Sequence, residues 1–293
     1  MDNLIIVRTH GARPTMWPLW LDGDPTRNWD LWVSPYAAKP DIPGYTINNM
    51  PGYVGRQTSA AKTVVGDVLP GQKWVALNQL LQTWPDWRNY HYVLLTDDDL
   101  FAMPGTWSKF FDRVAKYNAR IAAPALTEDS FFSFGFTIRN TAFVARRVSY
   151  IEMMAPCFRI DTLTELAPTF GLATEMGNGW GLDYLWAQRL KHQDLFIIDE
   201  TPVTHSRPGS FTPERFAAGQ KELLRISGCS FGQWVQKSYA GIGKSGEEMR
   251  ETDPRFLDLL MQGYRTLFAR DCSGQNPVAR QENNMRNHQR VRT

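Results

Sequence analysis

Three aspartates directly follow an apolar stretch in the sequence VLLTDDDLF at positions 93–101. The apolar run predicts a buried strand, and Asp97, Asp98 and Asp99 mark its carboxyl end. Adjacent carboxylates repel one another and raise one another's pKa unless a cation offsets their charge. Oxygen ligands of this kind suit Mg²⁺ or Mn²⁺. The tract therefore predicts a divalent metal site, and the alternative is a solvated acidic turn that caps the next helix.

Two further positions have complementary chemistry. His205 ends the apolar run DLFIIDETPVTH, and a neutral imidazole together with carboxylates suits a Mn²⁺-like ion that bridges a diphosphate. Asp183 lies in GNGWGLDYLW, where glycines let the backbone approach a ligand closely and Trp180 offers a flat apolar face. Each has a structural alternative: His205 as an internally hydrogen-bonded side chain, and Asp183 as the cap of the following helix.

Strands and helices alternate along the chain, and this order predicts an α/β layer with a largely parallel sheet. In open sheets of this class ligands bind beyond the carboxyl ends of strands, which is where the aspartates lie. Residues 134–158 predict antiparallel or edge strands, and the Pro and Gly residues of 40–55 predict a loop. The other predicted strands are 4–10, 29–36, 90–96, 119–126 and 194–205, and the predicted helices are 71–84, 106–118, 182–191, 212–226 and 253–270.

Composition limits the class of protein. The 293 residues have a formal net charge of +2, too balanced for nucleic-acid or membrane binding by the molecule as a whole. Cys157, Cys229 and Cys272 are odd in number and lack CxxC spacing, which predicts neither a disulfide framework nor a zinc site. The chain shows no signal-peptide pattern and no apolar run long enough for a membrane span. We expect a soluble, cytoplasmic protein with no integral membrane segment.

The motifs YVLLTDDDL, IEMMAPCF, GNGWGLDYLW and IIDETPVTH, in this order, resemble a family of plant and bacterial proteins of unknown function assigned to the GT-A glycosyltransferase clan. The resemblance spans about residues 71–208. It implies a GT-A (Rossmann-like) α/β fold with a mixed, mostly parallel sheet flanked by helices and a C-terminal helical extension. We expect a catalytic domain over 1–210, a helical segment packed on it over 211–270, and a mobile polar tail over 271–293.

The resemblance also implies a donor site. Asp97 and Asp99 would hold Mn²⁺ or Mg²⁺ against the diphosphate of a nucleotide sugar, His205 would complete the metal shell, and Asp98 would lie near the ribose or the sugar. The resemblance further implies that Arg8, Thr9 and Lys73 contact the nucleotide. Lys73 has a second interpretation, as a solvated residue at the start of a helix.

On the acceptor side, the resemblance implies a loop formed by Gly179, Trp180 and Gly181, followed by Asp183 as general base. The galactosyltransferase pattern has a Glu-Asp pair after the glycines, whereas this chain has Leu182 before a single aspartate. A base at this position gives inversion of configuration by direct displacement. Without a base there, a retaining course stays open.

The expected function is metal-dependent transfer of a sugar from a UDP- or GDP-sugar to a hydroxyl group of a glycan, a lipid-linked glycan or a modified nucleic acid. Two other classes stay open. A nucleotidyltransferase would usually have a Gly-rich phosphate loop near the first strand, where VRTHGARP has a single Gly. A non-catalytic module that binds glycans or nucleic acid would use the aromatic side chains and the Arg-bearing tail without turnover.

Overall fold

A computed structural model describes residues 2–21, 24–40, 46–48, 53–55, 61–209, 212–230 and 236–268. The strands are β1 (Asn3–Thr9), β2 (Trp29–Pro35), β3 (Thr46–Asn48), β4 (Tyr53–Gly55), β5 (Thr63–Val65), β6 (Tyr92–Asp97), β7 (Leu100–Phe101), β8 (Ile121–Leu126), β9 (Phe143–Val148), β10 (Cys157–Arg159), β11 (Leu195–His205), β12 (Ser238–Gly243) and β13 (Glu248–Arg250). The α-helices are α1 (Lys73–Thr83), α2 (Thr106–Lys116), α3 (Ile160–Leu166), α4 (Leu182–Arg189), α5 (Pro213–Ser227) and α6 (Pro254–Phe268). Short 3₁₀ helices lie at Trp17–Leu21, Pro85–Asn89, Gly135–Thr137 and Ala167–Leu172.

The strands form one mixed sheet in the order β13-β12-β9-β11-β8-β10-β6-β1-β2-β5-β4-β3, and β7 pairs with β11 outside this path. β5, β2, β1 and β6 are parallel neighbours, and β8 is parallel to β11. β10 is antiparallel to both β6 and β8, so those two strands share a direction. The predicted α/β fold with a largely parallel central sheet is confirmed.

Both faces of the central sheet are covered, as expected for parallel strands. Along β1 the side chains alternate between two cores, with Ile5 in one and Leu4 and Ile6 in the other. α2 places Phe110 and Phe111 in the first core, and α1, α3 and α4 contribute side chains to the second. The predicted flanking helices are therefore confirmed.

Two short-range predictions about secondary structure were wrong. The predicted loop over 40–55 contains β3 and β4. The predicted helical segment over 211–270 contains β12 and β13 besides its two helices, and β12 pairs with β9 to extend the sheet. The sequence SYAGIG lacks strand alternation, and one of its two glycines makes room for a neighbour: a Cβ on Gly241 would lie 2.4 Å from the Phe143 ring.

Other predictions about the chain have mixed outcomes. The predicted helix over 212–226 is present as α5, and Thr212 caps it by accepting a hydrogen bond from the Arg215 backbone N–H. Cys157 and Cys229 are free thiols. The division at residue 210 stays a prediction, and the predicted tail over 271–293, with Cys272, lies outside the described residues. Within the described ranges, no helix combines the length and the apolar character needed to cross a bilayer.

Candidate functional site

Strand pairing brings the aspartate tract and His205 to the same edge of the sheet. β1 and β6 run side by side, with Arg8 opposite Asp97. Just beyond the tract, β7 pairs with the end of β11, with Leu100 opposite His205. As a result, the Nε2 atom of His205 lies 3.4 Å from Oδ2 of Asp99. The sequence analysis expected these side chains to act together, and the structure places Asp99 and His205 in contact.

The middle aspartate of the tract points into the protein. Asp98 is only 7% exposed, and its Oδ2 accepts hydrogen bonds from Oγ1 of Thr9 at 2.7 Å and from the backbone N–H of His10 at 3.3 Å. Its Oδ1 pairs with Arg207. Thr9 is completely buried. The structure therefore differs from the predicted roles of Asp98 near a ribose and of Thr9 on a nucleotide, because each uses its polar atoms to anchor the other.

Lys73 is engaged on all sides. Its Nζ lies 3.1 Å from Oδ1 of Asp97 and donates to the carbonyl oxygens of Met153 at 2.9 Å and Met154 at 2.6 Å. Three partners account for the three N–H donors of an ammonium group. Burial lowers the pKa of Lys73, and the charge of Asp97 opposes this shift. The alternative of a solvated helix residue was wrong, and the predicted contact with a nucleotide stays a prediction.

Arg8 is likewise committed to internal contacts. Its guanidinium donates to the backbone carbonyls of Ser34, Pro35, Leu69 and Gly71 and to the Ser34 hydroxyl. These bonds hold the loop after β5 against the carboxyl end of β2. These contacts give Arg8 a positioning role for this loop, and its direct contact with a nucleotide stays a prediction.

Asp99 and His205 are electrostatically coupled. Burial acts to raise the pKa of Asp99, but the hydrogen bond to His205 and the charges of His205 and Arg207 outweigh it, so the pKa falls below its usual range. Burial acts to lower the pKa of His205, but Asp99 outweighs it and the pKa rises. Nδ1 of His205 lies 2.7 Å from the carbonyl oxygen of Phe131 and donates to it. This bond turns Nε2 toward Asp99.

Two of the three predicted metal ligands, Asp99 and His205, are suited to bind the expected ion. Among the residues that the structure describes, Oδ1 of Asp99 is buried and has no hydrogen-bond partner. A histidine whose second ring nitrogen donates to a carbonyl, as His205 does, is typical of metal ligands. Asp97, in contrast, is paired with Lys73. Across the described ranges of the chain, no three His, Cys, Asp or Glu side chains are arranged to hold a metal ion. The donor chemistry suits Mn²⁺ or Mg²⁺, but a three-ligand centre is not formed in this arrangement.

Asp183 is a buried carboxylate with a nearly neutral pKa. It lies in the first turn of α4, is 6% exposed, and accepts a hydrogen bond from the Tyr184 backbone N–H at 3.0 Å. Burial raises its pKa to about 7, and the negative charge of Glu152 acts in the same direction. A carboxylate with such a pKa is suited to accept a proton near pH 7.

The glycine loop before α4 is shaped by packing. Gly179 has φ +100°, and a Cβ there would lie 2.7 Å from Cδ1 of Trp74. Gly181 also has a positive φ and directly precedes α4. Trp180 packs edge-on against Phe216 of α5, with ring centroids 6.0 Å apart. The two glycines and the Trp180 ring thus contact α1 and α5 and form the turn before α4, and the acceptor role implied for these three residues stays a prediction.

The sequence analysis missed Glu152 and Arg207 as site residues. Glu152 is the sole charged residue between Arg147 and Arg159, which is its one sequence signal. Burial raises the pKa of Glu152, while the charge of His205 and a hydrogen bond with Ser133 oppose the rise. Arg207 follows β11 and pairs with both Asp98 and Asp99. Both were missed because a single charged residue forms no spacing pattern.

Comparison with known proteins gives distant structural likenesses. No family model and no curated protein sequence matches the chain. S. aureus TarS 1–349 in complex with UDP-GlcNAc has a TM-score of 0.45 at 11% identity over 77% of this chain and 66% of that one. The same TarS segment in complex with UDP has a TM-score of 0.43 at 12% identity, covering 78% of this chain and 67% of that one. A197 from STIV has a TM-score of 0.37 at 8% identity over 85% of this chain and 94% of that one.

The chain spans a limited part of the larger neighbours. It covers 66% of the TarS segment with UDP-GlcNAc and 40% of a longer TarS structure. At these identities and TM-scores the likeness is too distant to identify a family or an activity.

Proposed function

We propose that this protein is a glycosyltransferase of GT-A organisation that moves a sugar from a UDP- or GDP-sugar to an acceptor hydroxyl group. One observation carries the proposal. A charged cluster at the carboxyl ends of β6 and β11 is joined, through the segment 150–154, to the buried carboxylate Asp183. Glycosyl transfer needs both parts, because one end must stabilise the departing diphosphate and the other must take a proton from the acceptor.

On the donor side, negative charge develops on phosphate oxygens as the nucleoside diphosphate leaves. Arg207, whose side chain is 43% exposed, supplies positive charge next to Asp99. We propose Mn²⁺ or Mg²⁺ as the cofactor, with Asp99 and His205 as ligands and Asp97 as the third. When bound, the ion would add positive charge at the diphosphate. Lys73 orients Asp97, and Arg8, Thr9 and Asp98 hold the surrounding loops.

On the acceptor side, Asp183 removes the hydroxyl proton while the acceptor oxygen attacks the anomeric carbon. The bond from that carbon to the phosphate oxygen breaks in the same step, and the electron pair leaves with the diphosphate. Configuration is therefore inverted. The glycine loop at 179–181 fixes the start of α4 and with it the position of Asp183. A glycan, a lipid-linked glycan or a modified nucleic acid provides the hydroxyl group.

Calorimetric titration tests the donor site. UDP, GDP and their sugar conjugates are titrated into the wild type and Asp99→Ala, each with and without Mn²⁺. The matched control is Asp67→Ala, because Asp67 follows the parallel strand β5 at the same edge of the sheet and its side chain is 84% exposed. We expect Mn²⁺-dependent binding of one nucleotide, at least tenfold weaker binding by Asp99→Ala, and unchanged binding by the control.

Three results would contradict parts of this proposal. Folded wild type that binds no nucleotide rules out a glycosyltransferase. Equal binding with and without Mn²⁺ rules out the metal and leaves the donor site. Nucleotide-sugar binding without transfer or hydrolysis favours a non-catalytic binding module.

A further inference from the structure

We propose that Glu152 binds hydroxyl groups of the transferred sugar, at a position between the diphosphate and Asp183. This inference rests on the proposed function and adds to it a residue that recognises the sugar. Its basis is the path of the segment 150–154, which connects β9 to β10 and touches both halves of the site.

The first half of the segment is fixed next to the proposed base. The ring of Tyr150 stacks on that of Tyr184 with centroids 4.6 Å apart and planes 26° from parallel. Tyr184 directly follows Asp183 in α4, and its backbone N–H donates to the Asp183 carboxylate. Tyr150 is itself fully buried, so this end of the segment has little freedom to move.

The second half of the segment is fixed next to the aspartate tract. The carbonyl oxygens of Met153 and Met154 accept the hydrogen bonds of the Lys73 ammonium, which also pairs with Asp97. Glu152 therefore lies between an attachment to α4 on one side and an attachment to the carboxyl end of β6 on the other. In a transfer reaction the sugar occupies this same interval, because its anomeric carbon is bonded to the diphosphate and faces the acceptor oxygen.

The chemistry of Glu152 suits a neutral polyol and disfavours an anion. An ionised carboxylate offers two oxygens that accept hydrogen bonds, and sugar hydroxyl groups are donors. Burial raises the pKa of Glu152, Asp97 adds to this rise, and the charges of His205 and Lys73 oppose it. In its ionised form the carboxylate repels a phosphate group through its own negative charge. Because the backbone is held on both sides, the carboxylate needs little ordering when the sugar binds.

A comparison of two ligands on one variant isolates this contact. The Kd of the nucleoside diphosphate and the Kd of the matching nucleotide sugar are measured calorimetrically for the wild type and Glu152→Gln. Glu251→Gln serves as control, because Glu251 lies next to the edge strand β13 and its side chain is 51% exposed. We expect Glu152→Gln to bind the diphosphate within twofold of the wild type and the nucleotide sugar at least tenfold more weakly, and the control to match the wild type for both.

A second variant guards against misfolding. Glu152→Asp keeps the charge and shortens the side chain by one methylene group, and we expect it to weaken sugar-nucleotide binding while diphosphate binding is retained. If the wild type binds both ligands and Glu152→Gln binds both as tightly, the role of Glu152 is overturned and the glycosyltransferase proposal stands. Equally weaker binding of both ligands also overturns this role, since Glu152 would then affect binding of the diphosphate and not of the sugar. Folded wild type that binds neither ligand overturns both proposals together.

Discussion

At the scale of single residues, the three adjacent aspartates have three different environments. Asp97 pairs with Lys73, Asp98 is held inside by Thr9, His10 and Arg207, and Asp99 contacts His205 with one oxygen left unpaired. Identical side chains in a row therefore do not form one uniform charge. Of the three, Asp99 has the buried, unsatisfied oxygen that a ligand would complete.

Asp183 gives a prediction about pH dependence. Burial raises its pKa from 3.8 to about 7, and the neighbouring groups are Glu152, Tyr150 and Tyr184. A base works in its deprotonated form, so we expect kcat/KM for glycosyl transfer to rise with pH through about 7 and then level off. Asp183→Asn should lower kcat by roughly 10²–10⁴-fold and abolish this rise.

The control for Asp183 is Asp161→Asn. Asp161 occupies the first turn of α3, as Asp183 does in α4, but its side chain is 62% exposed. It tests the loss of a helix-terminal charge without loss of the proposed base, and we expect near wild-type transfer. A wild-type pH profile in Asp183→Asn would contradict the role of base.

A shared site for Asp99 and His205 was predicted, because each lies at the end of a predicted strand and the family resemblance implies that both bind one metal ion. The sequence did not predict the internal positions of Arg8, Thr9 and Lys73. Whether a polar side chain faces a ligand or a backbone carbonyl depends on loops that are distant along the chain, such as Leu69–Gly71 for Arg8 and Met153–Met154 for Lys73. No local spacing encodes those partners.

At the scale of elements, α5 supports the loop that carries the proposed base. Its Gly219 faces Trp180 so closely that a Cβ would lie 2.4 Å from the Trp180 carbonyl oxygen and 2.5 Å from its Cβ. Glycine inside a helix is normally unfavourable. Here its missing side chain allows the helix and the loop to approach each other.

Gly219→Ala should therefore destabilise the protein, although alanine is the better helix former by about 1 kcal/mol. We expect a loss of about 1–3 kcal/mol in the free energy of unfolding, the range typical of overpacking. Urea denaturation measures it. The control is Gly135→Ala, because a Cβ at Gly135 meets nothing within 4 Å, and we expect no loss there. A stabilised Gly219→Ala would show that the helix and loop have room to move apart.

Elements with a clear apolar pattern were predictable from the sequence, and elements with a weak pattern were not. α2 shows a helical apolar face, and β1 and β6 are short apolar runs with turn residues after them. β12 and β13 have three to six residues and weak patterns, and their conformation is decided by the pairing of β12 with β9 and of β13 with β12. Tertiary pairing overrides local preference in such segments.

At the scale of the whole molecule, a buried ion pair joins the C-terminal segment to the sheet. Arg146 on β9 makes two 2.8 Å bonds to Asp199 on β11, and both side chains are fully buried. The same guanidinium donates to Ser238 of β12 at 3.0 Å and to the hydroxyl of Tyr264 in α6 at 2.6 Å. Four elements thus share one cation.

Arg146→Met should be strongly destabilising because it leaves the Asp199 carboxylate buried without its partner. We expect a loss of about 3–5 kcal/mol in the free energy of unfolding. Arg147→Met is the control, since Arg147 pairs with Asp194 and Glu248 at the partly exposed surface, where such pairs contribute about 0–1 kcal/mol. Denaturant unfolding compares them, and equal losses would contradict the proposed weight of the buried pair.

The burial of Asp98 limits how the aspartate tract is able to vary by mutation. Changes at positions 97 and 99 alter the pair with Lys73 and the contact with His205, whereas a change at position 98 removes an acceptor shared by Thr9, the His10 backbone and Arg207. Selection for folded abundance alone would thus preserve aspartate at the centre of the tract and let its flanks drift. Selection for activity would preserve all three aspartates. The difference between the substitutions that the two selections tolerate separates the structural role of the tract from its chemical role.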